Sequence, residues 1–589
     1  MTFHFPAPID AMMTKTTAFL RDFWVLARPF WFSEERRAAR LLLGAVVALN
    51  LAIVWINVEF NQWQNAFYNT IQDRDQAEFT RQIGKFCWLA AAYILMAVYA
   101  LYLRQLLQIR WRRWMTERYL NEWLDGRMYY RLQLTDHGTD NPDQRISEDL
   151  RLFSDLTLTY TLDLMSTVVT LVSFIGILWV LSGPLALALG GTEFIVPGFM
   201  VWVALIYAVI GTWLTHKIGK PLVGLHYDQQ RYEADLRYSL VRFRENAEGI
   251  ALYHGEADEK RNFVGRFRDV MGNWWEIMQQ RKKLGGFTYS YGQAAVIFPY
   301  IVVAPRFFSG AIQLGGLMQT ASAFREVQFA LSWFVDAYQR LAEWKATVDR
   351  LIGFHNAIER ARATSLTRPG VAQERGDLGA IVLDGVRLDL PDGRVLLGGA
   401  NEKFEAGEAL LVTGPSGIGK STLFRAIAGI WPFGDGRITL PKNARVLFLP
   451  QKPYLQVGSV RDIMCYPEWS GRFDDAQLQE VLAACGLPHL GLRLDEKRNW
   501  ALELSIGEQQ RIAFCRALLR KPDWLMLDEA TSALDAPSEE RLYVLLKERL
   551  PDTTVVSIGH RPALAAFHQR KLELRPLGTG EFMLTSAAA

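Results

Sequence analysis

The sequence predicts a multi-domain protein: an all-α part with six membrane-spanning helices, followed by an α/β part built around a glycine-rich loop. Half of the 589 residues are hydrophobic and 19 are tryptophan, which is more than a soluble chain usually contains. Long apolar runs fill the chain as far as residue 338. After residue 376, short strands, Gly/Pro turns and helices alternate instead. The length also exceeds what one hydrophobic core supports.

The N-terminal segment, residues 1–40, contains an aromatic, amphipathic stretch at 17–32. This stretch is too short to span a membrane, so we expect a helix along the cytoplasmic membrane surface. An ordinary amphipathic core helix would show the same pattern. Residues 41–363 are predicted as the transmembrane domain, 364–375 as a linker and 376–589 as the α/β domain. A basic cluster closes the N-terminal segment: Arg36, Arg37 and Arg40.

Six stretches approach the roughly 20 apolar residues that a membrane-spanning helix needs. They are residues 41–58, 86–103, 162–181, 194–214, 287–303 and 311–338. The sixth is the weakest because it contains three charged residues. Charged residues within or beside the spans are candidate cargo contacts, although side chains at helix ends also snorkel to the interface. The candidates are Asp163, Glu193, Arg325, Glu326 and Asp336.

The segments after the second and fourth spans are rich in arginine and lysine, which places them and both chain ends in the cytoplasm. Both segments have helical patterns, so the membrane helices are predicted to extend into the cytoplasm and turn back there. The predicted turns are residues 141–149 and 245–253. We expect these tips to contact the soluble domain and to transmit motion to the spans. Their charge alone would predict solvated helices instead.

The α/β domain opens with a glycine-rich loop between an apolar strand and a helix. The loop reads Gly, four residues, Gly-Lys-Ser, which is the P-loop pattern. Backbone N–H groups of such a loop surround phosphate oxygens, and the helix N-terminus adds positive potential. Lys420 can neutralise the β- and γ-phosphates of ATP, and the Ser421 hydroxyl can ligate Mg²⁺. The predicted ATP-binding residues here are Gly414, Pro415, Ser416, Gly417, Ile418, Gly419, Lys420, Ser421 and Thr422.

Further along, a buried strand ends in two carboxylates. Asp528 is placed to hold Mg²⁺ through water, and Glu529 to polarise an attacking water. Between this strand and the P-loop, Ser505 and Gly507 open a helix whose N-terminus offers a second phosphate-binding edge. His560 ends a later strand. One histidine at a strand end is more often structural, but its place in this series favours contact with the γ-phosphate.

Together these segments resemble the nucleotide-binding domain of ABC transporters. The resemblance implies a Walker A motif at 414–421, a signature at 504–508 and a Walker B motif at 524–528. It implies that the catalytic residues are Glu529, His560 and Gln451. It implies further ATP contacts from Ser505, Gly507, Glu508 and Asp535, and Mg²⁺ contacts from Ser421, Gln451 and Asp528.

Three pieces of the membrane half resemble a narrower group, the SbmA/BacA-type peptide transporters in their ATP-driven, BclA-like branch. They are NPDQRISEDL (141–150), VWVALIYAVIGTWLT (201–215) and YEADLRYSLVRFRENAEGIALYHGE (232–256). The peroxisomal ABC half-transporters are more distant relatives that share the first piece. The resemblance implies an exporter-type fold and a homodimer in which ATP lies between Walker A of one copy and the signature of the other.

The resemblance also implies function. The chain would import hydrophilic cargo such as antimicrobial peptides, and also cobalamin-like solutes, across a bacterial inner membrane, with its nucleotide-binding domain in the cytoplasm. The alternatives are an exporter or flippase of lipids, acyl-CoA or drugs, and an ATPase that regulates a partner. Membrane lipid is an expected partner. The net charge of +3 gives no reason to expect nucleic acid.

Three positions depart from the usual ABC pattern. In the signature, Ile506 stands where most ABC proteins have glycine, and Glu508 stands where many have glutamine. Leu390 stands before the Pro391-Asp392-Gly393 turn, where an aromatic residue usually stacks on adenine. The choice between ATP and GTP is therefore left open by the sequence.

Overall fold

The structure is a computed structural model that describes residues 9–135, 141–183, 185–189, 192–367, 370–576 and 582–587. The chain forms two compact units. The first consists of Met1–Leu120 and Asp140–His355, and the second of Asn121–Thr139 and Asn356–Ala589. The predicted fold class, a helical membrane part followed by an α/β part, is confirmed.

Long helices dominate the chain up to residue 367. In chain order they are α1 (Ile9–Trp31), α2 (Arg36–Asp73), α3 (Gln76–Leu124), α4 (Met128–Thr135), α5 (Pro142–Gln144), α6 (Leu150–Ser182), α7 (Phe199–Glu245), α8 (Ala247–Tyr253), α9 (Glu256–Phe308) and α10 (Leu314–Thr367). A short antiparallel hairpin, β1 (Leu185–Leu189) and β2 (Thr192–Val196), separates α6 from α7.

Five helical stretches in the described residues are long and apolar enough to cross a membrane. They are Arg36–Asp73, Gln76–Leu134, Pro142–Ser182, Phe199–Glu245 and Glu256–Phe308. The first five predicted spans fall largely within them. The predicted sixth span is also helical, in α10, but it is too polar to join this set.

The predicted start of the fourth span was wrong. Residues 194–196 belong to β2, and α7 begins only at Phe199. Pro197 has no N–H to donate, and Gly198 adopts a left-handed conformation with φ of 61°. The Pro-Gly pair therefore separates an apolar strand from an apolar helix.

The turn predicted at 141–149 begins with Asn141 at the N-cap position and Pro142 in the first turn of α5. Asp143 lies inside that turn. The chain then forms a π-turn over Arg145–Asp149 that leads into α6. The buried Asp149 carboxylate is in contact with the Arg145 guanidinium and accepts hydrogen bonds of 3.0 and 2.6 Å from Arg350 of α10. Because these charges are paired, the π-turn is fixed to α10.

A second break separates α7 from α8 at Asn246, within the predicted turn at 245–253. Helix α8 ends at His254, whose φ of 54° is left-handed. Leu252 and Tyr253 near its end are strongly exposed. The segment is thus a short tip with apolar side chains on its surface.

The α/β unit is organised on a ten-stranded sheet. Its strands are β3 (Ala372–Gly376), β4 (Ile381–Asp389), β5 (Val395–Phe404), β6 (Leu410–Thr413), β7 (Gly434–Pro441), β8 (Val446–Leu449), β9 (Trp524–Asp528), β10 (Thr554–Ile558), β11 (Arg570–Pro576) and β12 (Phe582–Ala587). Their order across the sheet is β3-β7-β4-β5-β12-β11-β6-β10-β9-β8. Helix α10 runs to Thr367 and β3 begins at Ala372, so both ends of the predicted linker at 364–375 lie in regular elements.

The helices of this unit are α11 (Lys420–Ile427), α12 (Val460–Cys465), α13 (Asp475–Ala484), α14 (Trp500–Glu503), α15 (Ile506–Arg520) and α16 (Ala536–Arg549). Two buried cores use alternate residues of the central strands. On β9, Leu525 and Leu527 belong to one core, and Trp524 and Met526 to the other. Covering both faces explains why this parallel strand is apolar throughout.

Candidate functional site

Four parallel strands end at one edge of the sheet. Strand β10 pairs with both β6 and β9, and β9 pairs with β8. Loops that follow adjacent parallel strands open on the same side of a sheet, where ligands bind in α/β folds. This edge therefore collects the P-loop after β6, Gln451 after β8, Glu529 after β9 and His560 after β10.

The P-loop adopts backbone conformations that favour glycine. Gly414, Gly417 and Gly419 have φ of 145°, 81° and 98°. A Cβ atom on Gly419 would lie 2.5 Å from a methyl carbon of Leu396, so a side chain does not fit there. The loop thus has the tight turn that lets backbone N–H groups surround an anion.

Lys420 lies across its own loop. Its Nζ donates to the carbonyl oxygens of Gly414 at 3.0 Å and Pro415 at 2.8 Å. Burial lowers the pKa of Lys420, while the carboxylates of Glu529 and Asp528 act in the opposite direction. A phosphate group would offer this ammonium a stronger partner than two neutral carbonyls.

Ser421 and Asp528 are joined directly, since the Ser421 hydroxyl donates to Oδ1 of Asp528 at 2.9 Å. Burial raises the pKa of Asp528, although the Ser421 hydrogen bond opposes this. A hydroxyl and a carboxylate are the hard oxygen ligands that Mg²⁺ prefers, and Mg²⁺ uses only one or two protein ligands when phosphates supply others. The residues present therefore fit a magnesium ion.

Glu529 is held by groups from two other strands. Its Oε2 accepts a hydrogen bond from Nε2 of Gln451 at 3.1 Å, and its Oε1 lies 3.2 Å from Nε2 of His560. The backbone of Glu529 is left-handed, with φ of 49°, and its N–H donates to the carbonyl oxygen of Ile558 at 3.1 Å. Left-handed backbone is uncommon for a non-glycine residue and often marks functional sites. The fixed carboxylate has the geometry of a group that can orient and polarise a water.

Helix α15, which begins within the predicted signature at 504–508, starts with a capping box. Glu508 N–H donates to Oγ of Ser505 at 3.3 Å, and the Glu508 carboxylate accepts from the Ser505 N–H at 2.9 Å and hydroxyl at 2.8 Å. Partial burial raises the pKa of Glu508, but the Ser505 hydrogen bonds and the charge of Arg511 outweigh it and leave the pKa lowered. Glu508 therefore stabilises the N-terminus of this helix, and its predicted contact with ATP stays a prediction.

Ile506, which replaces the usual glycine of the signature, lies at the surface. The Ile506 side chain is 56% exposed, so it causes no crowding within the chain. Gly507 is more constrained, because a Cβ there would lie 3.2 Å from the Ala533 carbonyl oxygen. Asp535, two residues after Ala533, is exposed at the N-cap of α16.

The adenine-stacking position also departs from the usual pattern. Leu390 is half-buried and packs against the core that contains Trp431. Trp431 is itself buried, and its indole N–H donates to the Asp389 carbonyl at 3.0 Å. This ring is therefore part of the core and does not form an open surface for a base.

Sequence reasoning missed Gln510, which connects three parts of the site. Its Nε2 donates to the Gln451 carbonyl at 2.9 Å and to the Ser532 hydroxyl at 3.2 Å, and its Oε1 accepts from the Ala533 N–H at 3.1 Å. The residue is 1% exposed. It thereby joins the signature helix, the loop of Gln451 and the loop before Asp535. A glutamine facing inward on an amphipathic helix was the only signal.

We expect Gln510→Glu to lower kcat for ATP hydrolysis about tenfold with little change in KM. The variant loses two buried donors and brings a carboxylate toward the Gln451 carbonyl, which costs about 1–3 kcal/mol. Gln510 positions other residues and does not itself reach phosphate, so the loss falls on kcat.

The matched control is Gln479→Glu, where an exposed amide also donates to a backbone carbonyl, that of Gly491. Steady-state kinetics per folded molecule, with melting temperatures, separate the two roles. A lowered melting temperature with the kcat of the control would mean that Gln510 only stabilises the fold.

The segment 121–139 belongs to the second unit, whereas 141–149, predicted to contact the soluble domain, belongs to the first. Within the second unit the Arg127 guanidinium donates to the Ala428 carbonyl at 2.9 Å, and Leu134 packs against the core. The left-handed Gly126, with φ of 56°, follows the end of α3 and turns the chain. The Asp125-Gly126 pair was the signal in the sequence for this turn.

The candidate cargo residues are dispersed. Asp163 is partly exposed on α6, and on α10 Arg325 is exposed while Glu326 is half-buried. The side chains of Glu193 and Asp336 lie outside the described residues.

A P-loop, a fitting Mg²⁺ site and a fixed carboxylate, carried with several spanning helices, define an ATP-driven membrane transporter. Residues 28–308 match the family model for ABC transporter transmembrane region 2, and residues 397–532 match that for ABC transporter. The chain belongs to the ABC transporter family, and its nucleotide-binding domain binds ATP and couples its hydrolysis to transport.

Its relatives include the inner membrane ABC transporter ATP-binding protein YddA of Escherichia coli (strain K12), 35% identical over 92% of this chain and 94% of the relative. ABC transporter D family member 2, chloroplastic, of Arabidopsis thaliana is 34% identical over 94% and 86%. The lysosomal cobalamin transporter ABCD4 of Homo sapiens is 26% identical over 94% of each. The chain is thus a half-transporter with relatives in the D family.

Among solved structures, a bacterial Atm1-family ABC exporter with ATP bound has a TM-score of 0.68 at 17% identity, covering 92% of this chain and 94% of that one. This likeness shows the exporter-type fold.

Proposed function

We propose that two copies of this chain form a homodimeric importer in a bacterial inner membrane. The dimer uses ATP and Mg²⁺ to move hydrophilic cargo toward the cytoplasm. Antimicrobial peptides are the first cargo class, as the resemblance to SbmA/BacA-type transporters implies. Cobalamin-like solutes are the second, which agrees with the name of the human relative. The name of the E. coli relative supports the inner membrane as the location.

The polarity of α10 carries the proposal of hydrophilic cargo. This helix has 54 residues, ample to span, yet it is not among the five apolar enough to do so in lipid. Its buried residues include Gln319, Thr320 and Gln328. Polar residues within spanning helices face the bundle interior or a water-filled path. A helix of this kind favours a polar translocation path.

Helices α7 and α9 meet at two tyrosines near this polar stretch. The Tyr207 hydroxyl donates to the Tyr291 carbonyl at 2.6 Å, and the Tyr291 hydroxyl donates to the Tyr207 carbonyl at 3.1 Å. The side chains of Gln328 and Ser332 on α10 lie beside the Tyr291 hydroxyl. Three helices therefore share one polar network, which supports a common path for cargo.

For the ATP site we propose that Lys420 binds the phosphates and that Ser421 and Asp528 hold Mg²⁺. Glu529 then positions the attacking water, and His560 steadies the γ-phosphate. Gln451 contacts the ion and links the site to the membrane helices.

Each site is completed by Ser505, Gly507 and Asp535 of the second copy. The support is that Ser505 opens a 15-residue helix at the surface, a position suited to an anion. Homodimers are most simply built with C₂ symmetry, which gives two equivalent sites.

Uptake of a labelled cationic peptide into proteoliposomes tests the proposal, with ATP and Mg²⁺ on the side of the nucleotide-binding domain. We expect accumulation on that side that stops in Glu529→Gln. Robust ATPase activity without uptake would contradict import and favour the second candidate, an exporter or flippase of lipids, acyl-CoA or drugs. The exporter-type fold is what favours that candidate, and the assay with inverted geometry would then detect it.

A further inference from the structure

Two arginines share one exposed aromatic ring where α1 meets α2. The Cζ atoms of Arg28 and Arg40 lie 5.5 and 5.1 Å from the ring centroid of Phe32. Phe32 is 58% exposed. The Arg40 guanidinium also donates to the Trp31 carbonyl at 2.9 Å, which fixes its position. We call Arg28, Phe32 and Arg40 the arginine pair site.

Neighbouring carboxylates do not neutralise this site. Glu35 accepts from Arg110 at 3.2 Å and Arg113 at 2.9 Å, so its charge is already shared by two guanidinium groups. Within the described residues neither Arg28 nor Arg40 pairs with a carboxylate. Two like charges held within 5.5 Å of one ring centroid repel each other, and a bound anion would relieve that repulsion.

The surroundings of the site are apolar. Leu20 and Trp24 on α1, and Leu41 at the start of the apolar run of α2, are all exposed. Helix α2 is the first candidate span. Exposed apolar side chains combined with arginines are typical of a helix lying in a membrane interface. The anions available at such an interface are phospholipid headgroups.

We propose that Arg28, Phe32 and Arg40 bind the phosphate of an anionic phospholipid in the cytoplasmic leaflet. The guanidinium groups supply charge and N–H donors that match phosphate oxygens. Trp24 and Leu41 provide apolar surface for the glycerol and the first acyl carbons. The positive-inside rule places this end of α2 in the cytoplasmic leaflet.

The test uses full-length protein in phosphatidylcholine nanodiscs that contain a minor fraction of phosphatidylglycerol. Native mass spectrometry counts the phosphatidylglycerol that stays bound after detergent release. We expect retention to fall about fivefold for Arg28→Gln or Arg40→Gln and about 30-fold for both together. Phe32→Leu, which keeps apolar bulk but removes the ring, should weaken retention as well.

The matched control is Arg261→Gln with Arg268→Gln, which removes two exposed arginines from α9. Unchanged ATPase activity in pure phosphatidylcholine shows that each variant is folded. Equal retention in the double variant and the control would overturn the site. Release of the lipid by millimolar inorganic phosphate would overturn the assignment to a lipid and indicate a site for free phosphate.

Discussion

Glu529→Gln retains ATP but hydrolyses it about 10²–10⁴-fold more slowly than the wild type, the range expected for loss of a general base. The substitution keeps the size of the side chain and removes the charge that polarises water. Nε2 of Gln451, which donates to the native carboxylate at 3.1 Å, can still donate to the amide oxygen, so the side chain keeps its place. The nucleotide is therefore trapped, and the two copies stay closed around it.

The control for this variant is Glu548→Gln on the exposed face of α16. It makes the same chemical change outside the site and should hydrolyse ATP at the wild-type rate. The measurement is the dissociation of labelled ATP, together with phosphate release. Nucleotide release as fast as in the wild type would remove Glu529 from its proposed role.

Lys420→Ala and Ser505→Phe should each abolish hydrolysis in a homodimer, for different reasons. The first removes the ammonium that lies 2.8–3.0 Å from two loop carbonyls and is placed to meet phosphate. Loss of one such charge-stabilising donor costs about 10²–10³-fold in rate. The second puts a ring where the other copy's phosphate would approach the helix N-terminus. Both variants should therefore be inactive alone.

Several residues of the ATP site were predictable because they follow neighbouring parallel strands of the sheet. Gln451, Glu529 and His560 are far apart in sequence, but adjacent strands end together, and the structure brings these side chains into contact. Gln510 was not predictable, because two of its three partners are backbone groups of loops. The motif predicts that Glu508 contacts ATP, and the structure adds a capping role that the motif does not show.

The membrane half was predictable in its helices but less so at their ends. Hydropathy does not distinguish an apolar strand from an apolar helix, so it predicts residues 194–196 within a span, although the Pro197-Gly198 break ends a strand there. The sixth predicted span, in α10, is helical but too polar for lipid. Glu326 and Gln328 lower its hydropathy, and their burial against protein rather than lipid accommodates them.

The most direct test of the central claim, that two copies share each ATP site, mixes the two inactive variants. A dimer of one Lys420→Ala copy and one Ser505→Phe copy has one site with both defects and one site with none. Doubly tagged, purified mixed dimers should hydrolyse ATP at about half the wild-type rate if the two sites of a C₂ dimer act independently. Mixed dimers as inactive as either parent would contradict the claim, because every site would then be contained within a single chain.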